Sequence, residues 1–171
     1  MSEALVTIDS PAGGTSVGNP LTITGTLRDG VDPASIEVML DRTTLANLRD
    51  AALFDGNTFL LQLAPRVSEG AHILWARERY GRGFARRDVY VSQHASQSER
   101  IVTVPAAWHT LFAPKLRIDG HAFPARWKRM RGKSGLHYVA SADLSALAAG
   151  MHQLEVVSAG RVMRAETLQT A

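Results

Sequence analysis

The sequence predicts an all-β protein made of two tandem antiparallel β-sandwiches, the second shorter than the first. Three observations support this prediction. Short segments alternate between apolar and polar residues, turn-forming residues separate them, and one pattern occurs twice about 80 residues apart. A composition of 45% hydrophobic and 20% charged residues is typical of a folded chain. No apolar run reaches the roughly 20 residues that a membrane-spanning helix needs, so no span is predicted.

The first half of the chain contains six predicted strands. Leu21–Leu27 shows the pattern well, because Leu21 and Ile23 share one face while threonines occupy the other. The sequence Asp55-Gly56-Asn57 indicates a tight turn, since Gly and Asn tolerate positive φ. Six strands in about 90 residues is the density of an antiparallel sandwich. The predicted strands are 4–8, 21–27, 36–40, 58–64, 71–79 and 88–92.

A polar, aperiodic stretch at 93–99 is interpreted as a linker between a first domain, 1–92, and a second domain, 100–171. The charge balance changes sign near it. Residues 1–94 contain 9 arginines, no lysine and 11 acidic residues, whereas residues 95–171 contain 10 basic and 5 acidic ones. The basic second domain could attract an acidic partner, or the balance reflects an arginine-rich coding bias, since 16 of the 19 basic residues are arginine.

The second domain is predicted to be built from six further strands, and helical signal is weak throughout. Segments 43–53 and 142–149 are each long enough for only a turn or two of helix. The predicted strands of the second domain are 101–104, 115–119, 122–130, 136–141, 151–157 and 161–167.

An internal repeat relates the two domains. Three pairs of segments match in the same order: Gly70-Ala-His72-Ile-Leu74 with Gly150-Met-His152-Gln-Leu154, Val38-Met-Leu40-Asp41 with Leu116-Arg-Ile118-Asp119, and Phe59 with Tyr138. Their offsets are 80, 78 and 79 residues, and the second copy is shorter at its beginning. Because His72 and His152 are equivalent, we predict a structural hydrogen bond at the start of a strand for both, and no metal site.

The first copy contains a set of spaced motifs, which are Ile8-x-x-Pro11, Leu21-x-Ile23-x-Gly25, Ile36-x-Val38-x-Leu40-Asp41, Gly70-x-His72-x-Leu74-x-Ala76 and Tyr80-Gly81. In these residues the chain resembles the immunoglobulin-like β-sandwich repeats of bacterial and phage proteins. The resemblance covers residues 4–92 well and 101–169 more loosely. It implies an immunoglobulin-like fold, but because such sandwiches serve as spacers and binders, it says little about function.

The sequence contains no recognisable catalytic or metal-binding motif. A phosphate-binding loop ending at Gly132 would need a glycine five residues earlier, and that position is Trp127. No Gly-x-Ser-x-Gly elbow is present, and with no cysteine a thiolate site is excluded. His109, His121 and His137 lack the spacing of metal ligands. We therefore predict a non-enzymatic protein without metal or cofactor.

The strongest charged candidate for partner binding is a run of cations, called the basic strip below: Arg126, Lys128, Arg129, Arg131 and Lys133. Strand alternation turns Trp127 toward the core, with Arg126 and Lys128 on the opposite face. Such a strip can hold phosphate, sulfate, uronate or carboxylate groups. The alternative is an edge strand protected by charge against aggregation. With Trp127 turned inward, no stacking platform remains, which disfavours nucleic acid.

Trp75 and Ile73 are the apolar candidates for partner binding. Alternation places Trp75 on the face opposite Leu74 and Ala76, where a large side chain points to an interface. A lone Trp beside Ile provides no second ring for a sugar, so an interface is favoured over a sugar platform. A second set of arginines is interpreted as a solvated hairpin, because acidic residues are mixed with it: Arg77, Arg79, Arg82, Arg86 and Arg87.

Two functions are favoured by these observations, and a third possibility is an accessory domain of a larger enzyme whose catalytic part lies elsewhere. The chain begins without the basic start and apolar region of a signal peptide. Together with the resemblance, this predicts a virion accessory protein, capsid-decorating or tail-associated, assembled in the host cytoplasm and bound to an assembly or to itself. The alternative is a glycan-binding or adhesion module of a bacterial surface or secreted polysaccharide system. That function requires that a signal peptide was removed, and it assigns an anionic glycan to the basic strip.

Overall fold

A computed structural model describes residues 4–18, 20–63, 67–81, 83–92, 98–106 and 113–170, and most of them lie in β-strands. The prediction of an all-β, antiparallel architecture is therefore confirmed. The chain divides into two compact units, the first comprising residues 1–95 with 131–133 and the second 96–130 with 134–171. Within the described residues, no helix is long and apolar enough to cross a membrane.

The first unit contains two sheets. In one sheet the order is β1, β3, β7, β6, with antiparallel neighbours. In the other it is β2, β9, β8, β4, β5, and only β2 runs parallel to its neighbour, β9. The strands are β1 (Val6–Ser10), β2 (Thr15–Val17), β3 (Leu21–Leu27), β4 (Ile36–Leu40), β5 (Thr43–Asn47), β6 (Leu53–Asp55), β7 (Thr58–Leu63), β8 (Gly70–Glu78) and β9 (Phe84–Val91).

The core of the first unit is formed by the inward side chains of both sheets. Ile23 and Phe59 from one sheet and Val38 and Leu74 from the other belong to one cluster of buried residues. Alternation explains this pattern, since every second residue of β3, from Leu21 to Leu27, is buried. The sandwich is therefore held by apolar burial, as expected for a chain without cysteine.

Gly25 is the inward position where a side chain cannot be accommodated. A methyl group there would overlap both the Thr7 carbonyl oxygen and the ring of Phe59. The absence of a Cβ lets β1 and β3 pair closely while the Phe59 ring fills the space beneath them.

The second unit repeats this plan with fewer strands. Its strands are β10 (Glu99–Pro105), β11 (Lys115–Ile118), β12 (His121–Phe123), β13 (Arg126–Gly132), β14 (Gly135–Asp143), β15 (Gly150–Ser158) and β16 (Arg161–Thr170). In one sheet β14 lies between β13 and β10, and in the other the order is β12, β11, β15, β16. The core includes Val102, Leu116, Leu154 and Val156.

The second unit lacks counterparts of β1 and β2 among the described residues. In the first unit β3 pairs with β1 and β9 pairs with β2, whereas β10 and β16 each end their sheet. An ion pair occupies this side instead, because Arg100 Nη2 lies 2.7 Å from Glu166 Oε1 with both side chains largely buried.

Some elements differ from the sequence prediction. Segment 43–53 is mostly strand, and its only helix is one turn, α1 (Leu48–Ala51), begun by the Asn47 side chain, whose Oδ1 accepts the Asp50 N–H at 3.0 Å. Segment 142–149 forms no helix, since β14 extends to Asp143. The predicted strand 122–130 is divided between β12 and β13, and of the predicted linker, residues 93–97 lie outside the described residues.

Candidate functional site

The first candidate surface is the outer face of the β2-β9-β8-β4-β5 sheet around Trp75, called the Trp75 face below. Leu74 and Ala76 are buried in the core, and Trp75 is half-buried on the opposite side of β8, as alternation predicts. Ile73 lies on the same face and is also half-buried. The fold therefore presents both predicted apolar residues on one surface of the first unit.

Trp75 has aromatic and basic neighbours. Its strand partners are Met39 on β4 and Arg86 on β9. The Arg86 guanidinium lies over the indole ring, 5.2 Å from its centroid. The Phe84 ring centroid is also 5.2 Å away, with the two ring planes tilted by 58°. The premise that Trp75 has no second ring beside it is therefore wrong, because the hairpin of β8 and β9 brings Phe84 next to it.

Three arginines of this hairpin form ion pairs. Arg77 Nη2 and Arg79 Nε lie 3.4 Å and 3.0 Å from the two carboxylate oxygens of Glu37, whose side chain is only 11% exposed. Arg86 pairs with Asp88 at 3.0 Å. These pairs order the arginine side chains around Trp75. The three side chains remain exposed, so the interpretation as a solvated hairpin is compatible with the structure. Arg82 lies outside the described residues.

Arg87, in contrast to the three paired arginines of the hairpin, makes a structural hydrogen bond. It lies on the inner side of β9, half-buried, and its Nη2 donates to the Ile8 carbonyl oxygen at 2.6 Å. The bond ties β9 to β1, so Arg87 is unavailable to a partner.

The residue beside Ile73 belongs to a hydrogen-bonded clamp. His72 Nδ1 lies 2.9 Å from Asp41 Oδ2, and Nε2 lies 2.7 Å from the Ser68 carbonyl oxygen. Asp41 Oδ1 accepts the Ile73 N–H at 2.9 Å. Since carboxylate and carbonyl oxygens only accept, the doubly protonated imidazolium satisfies both contacts of the ring.

The second unit contains the same clamp. His152 Nδ1 lies 2.6 Å from Asp119 Oδ2, its Nε2 lies 2.8 Å from the Ala148 carbonyl oxygen, and Asp119 Oδ1 accepts the Gln153 N–H at 2.9 Å. Asp41 and Asp119 have φ values of 55° and 52°, which place each carboxylate at a strand end facing its histidine. The predicted structural hydrogen bond is therefore present in both units.

The clamp shifts the pKa of each member. Burial lowers the pKa of His72, but its bonds to Asp41 and to the Ser68 carbonyl outweigh this, and the pKa lies above the ordinary 6.5. The bond to Asp119, followed by that to the Ala148 carbonyl, raises the pKa of His152. The Ile73 N–H and then His72 hold the pKa of Asp41 below 3.8. His152 and then the Gln153 N–H do the same for the pKa of Asp119.

The basic strip is the second candidate surface. Trp127 is half-buried and packs against the core of the second unit, which is the direction that alternation predicts. All five cations of the strip are exposed: Arg126, Lys128, Arg129, Arg131 and Lys133. Strand alternation divides them, however, because Arg126 and Lys128 share a face with buried Met130, and Arg129 and Arg131 lie on the other.

Two cations of the strip have acidic neighbours. Lys133, which groups with the first unit, lies 2.7 Å from Asp50 Oδ1 of that unit. Arg126 lines a depression of about 510 Å³ in the second unit together with Glu99 and Asp143. Within the described residues, no carboxylate lies within ion-pairing distance of Lys128 or Arg129. Of the three cations of the strip that belong to the second unit, these two are therefore uncompensated.

No metal centre or catalytic group emerges from the described residues. They contain no cluster of three or more metal-ligating side chains, and both clamp histidines are engaged by structural bonds. His94 and His109 lie outside the described residues.

A comparison of equivalent positions in the two units shows which residues the fold requires. The buried pair Leu74 and Leu154 is equivalent, but the outward residue after each is Trp75 in the first unit and Glu155 in the second. Opposite Glu155 in the ladder is Arg117, with Nη2 2.8 Å from Glu155 Oε2, at the position that Met39 has opposite Trp75. The sandwich thus accepts an ion pair here, and the apolar pair of the first unit is not a requirement of the fold.

No protein-family model and no curated protein matches this sequence. Among solved structures, the chain is similar to the fibronectin(III)-like modules of Clostridium thermocellum CbhA, with 14% identity over 96% of this chain and 92% of that one and a TM-score of 0.37. It is similar to titin domains Z1Z2 in complex with telethonin, with 14% identity, 99% and 97% coverage and a TM-score of 0.35. A Bacteroides ovatus glucan-binding protein, SGBP-B, gives 13% identity over 96% of this chain and 45% of that one, with a TM-score of 0.34. Nothing about ligands or partners follows from similarities this low.

Proposed function

We propose that this chain is a non-enzymatic interaction protein that binds a protein partner through the Trp75 face of its first unit. The observation that carries the proposal is the exchange between repeats, since the outward pair Met39 and Trp75 replaces an ion pair that serves the same ladder position in the second unit. Trp and Arg are enriched among the residues that dominate protein interfaces. Here Arg86 and Arg77 flank Trp75 and are ordered by ion pairs.

The partner we propose is a subunit of a larger assembly, and the assembly a virion, with this chain as a capsid-decorating or tail-associated accessory protein. The virion part of the proposal rests on the sequence resemblance alone. It assigns assembly to the host cytoplasm.

The test introduces the ion pair of the second unit at the equivalent position of the first unit. Met39→Arg combined with Trp75→Glu recreates the Arg117–Glu155 pair, so the sandwich is expected to remain folded while the apolar surface is lost. The control is Met151→Glu, which removes an exposed apolar side chain from the second unit. Particles from the native source, expressing each variant, are separated on a density gradient, and the chain is quantified in each fraction by mass spectrometry.

Wild type and Met151→Glu are expected to migrate with particles at a fixed copy ratio, and the double variant to be recovered free. Particle association of the double variant at the wild-type ratio would refute the Trp75 face as the docking surface. Recovery of the wild type only as a free or envelope-associated protein would refute the virion part.

A second function is favoured by the uncompensated charges of the basic strip. Lys128 and Arg129 are exposed and lack an acidic partner within the described residues. They lie on opposite faces of β13, so each can hold one anionic group of a glycan by charge-assisted hydrogen bonds. Under this proposal the chain acts at a bacterial surface or outside the cell. Polygalacturonate binding that weakens steeply with salt and with Lys128→Ser and Arg129→Ser would support it. Salt-independent binding would count against it.

A further inference from the structure

The Trp75 face contains a depression of about 490 Å³ whose shape and charge define what kind of group it accepts. Met39, Trp75 and Phe84 supply its apolar surface, and Asp41, Arg42 and Arg77 are polar residues that line it. Its volume is within the range of sites that bind small groups. Phe84 is 59% exposed, so this apolar surface is accessible from solvent.

The geometry of the rings favours an inserted side chain over a stacked sugar. The Arg86 guanidinium already covers Trp75 at 5.2 Å, and the Phe84 plane is tilted by 58° from the indole. The two rings therefore do not form a flat platform. Because their centroids are only 5.2 Å apart, the two rings pack against each other, and a branched or aromatic side chain can contact their outer edges beside Met39, where several apolar groups are available.

The charge around the depression is positive. Arg77 and Arg79 share the single carboxylate of Glu37, which compensates only one of them. Arg42 is exposed, and no carboxylate of the described residues lies within ion-pairing distance of its guanidinium. The remaining charges form pairs, Arg86 with Asp88 and His72 with Asp41. The Glu78 carboxylate, which lies beside the lining residue Gly81, offsets one further positive charge. One positive charge is left over, and a negatively charged group complements it.

We propose that this depression binds an extended segment of the partner protein in which a large apolar side chain stands next to aspartate or glutamate. The inference rests on the proposed function and names the partner's chemistry at the same site. The apolar side chain contacts Trp75 and Phe84, and a neighbouring carboxylate faces Arg42 and Arg77, the two arginines that line the depression. Among the described residues of the second unit this apolar surface is not repeated, because Arg117 and Glu155 occupy the two central positions.

Four pentapeptides of matched length provide the test, each blocked at both ends: Gly-Asp-Trp-Glu-Gly, its neutral analogue Gly-Asn-Trp-Gln-Gly, the anchor-free Gly-Asp-Ala-Glu-Gly and the charge-reversed Gly-Lys-Trp-Lys-Gly. Binding to the full chain is followed by NMR through the Trp75 indole N–H, at low and at high salt. We expect the acidic Trp peptide to bind about three- to tenfold more tightly than the neutral one at low salt. High salt is expected to reduce this ratio.

Two variants assign the effect to the depression. Arg42→Gln is expected to reduce the preference for the acidic peptide to about twofold while leaving binding of the neutral peptide unchanged. Met39→Arg with Trp75→Glu is expected to abolish binding of both peptides, followed through the backbone amide signals of β8. The control is Lys128→Gln, which removes an exposed cation from the basic strip and is expected to have no effect.

Equal binding of the acidic and charge-reversed peptides, or no shift of the Trp75 signal with any peptide at millimolar concentration, would overturn the proposal. A shift with trigalacturonate but with none of the peptides would overturn it in favour of a glycan. The peptide experiment tests the chemistry of the partner, and the gradient experiment tests whether the Trp75 face docks at all. The two proposals can therefore fail separately, because particle association does not depend on which peptide binds.

Discussion

Replacing Asp41 by Asn isolates the charge of the first clamp from its backbone bond. The Asn oxygen can still accept the Ile73 N–H, and Asn tolerates the positive φ of 55° at this position. What is lost is the negative charge facing His72 Nδ1, since the amide nitrogen that replaces one carboxylate oxygen is a donor. The ring then favours the neutral form that donates from Nε2 to the Ser68 carbonyl.

The sign and size of the effect follow from the clamp geometry. The pKa of His72 is raised above 6.5, so its contribution to stability is fully present below 6.5 and is lost as pH rises through the folded pKa. The pKa of Asp41 is lowered from 3.8, so its contribution is lost as pH falls through the folded pKa. A hydrogen bond between charged groups contributes roughly 1.5–3 kcal/mol. Because the Asp41 side chain is 51% exposed, solvent screening reduces this to about 1 kcal/mol.

The assay combines an NMR titration of the histidine rings with urea unfolding of wild type and Asp41→Asn. At about pH 5.5 the variant is expected to lose about 1 kcal/mol of unfolding free energy, and at about pH 8.5 the difference is expected to shrink. The pKa of His72 is expected to fall in the variant. His152 in the second unit has the same clamp with Asp119 and serves as the control, with an unchanged pKa.

The reasoning is refuted if wild-type His72 titrates at or below 6.5, because the ring would then not be the charged donor in both contacts. It is equally refuted if His152 responds to Asp41→Asn as strongly as His72 does. A stability difference that grows from pH 5.5 to 8.5 would show that the sign is wrong.

Two further predictions concern the cores. Gly25→Ala is expected to destabilise the first unit by about 1–3 kcal/mol, because the new methyl group overlaps the Phe59 ring and a backbone carbonyl. Gly13→Ala provides the control, since Gly13 is exposed, has no positive φ, and its added Cβ would make only an ordinary 3.7 Å contact with Arg87. Equal costs of the two variants in urea unfolding would contradict the packing argument. Arg100→Met is expected to lower the free energy of unfolding by about 2 kcal/mol, because the largely buried Glu166 then keeps only Arg164 as an ion-pair partner. Adding Glu166→Leu is expected to recover most of this loss. A double variant less stable than Arg100→Met would contradict the prediction.

The repeat and the strand alternation made much of the fold predictable. Both depend on local spacing, so the inward positions Leu74 and Leu154 and the equivalent histidines could be read directly from the sequence. The turn of helix considered for 43–53 is present at Leu48–Ala51, but Thr43–Asn47 before it is extended, because these residues pair with β4. The intrinsic conformational propensities of these residues do not predict which strand they pair with.

The neighbours of Trp75 were less predictable than its orientation. Alternation gives the face of a side chain but not the register between strands, and the register of β8 with β9 decides that Arg86 lies opposite Trp75 and Phe84 opposite Arg77. The dilution of arginines by acidic residues was visible in the sequence, but Glu37, which pairs with two of them, comes from a strand 40 residues away. Long-range partners of this kind need the tertiary structure.

The parallel pairing of β2 with β9 has a mechanical consequence. The Gly14 N–H donates to the Asp88 carbonyl at 2.7 Å and the Ser92 N–H to the Val17 carbonyl at 2.9 Å, so hydrogen bonds flank this short ladder at both ends. Tension between the start of β2 and the end of β9 acts along the two strands, which loads these bonds together in shear. In the second unit β10 and β16 belong to different sheets, and side-chain bonds such as Arg164 to the Thr103 carbonyl connect them. A stretched chain is therefore expected to lose its second sandwich at lower force than its first, since rupture under load follows the unfolding barrier.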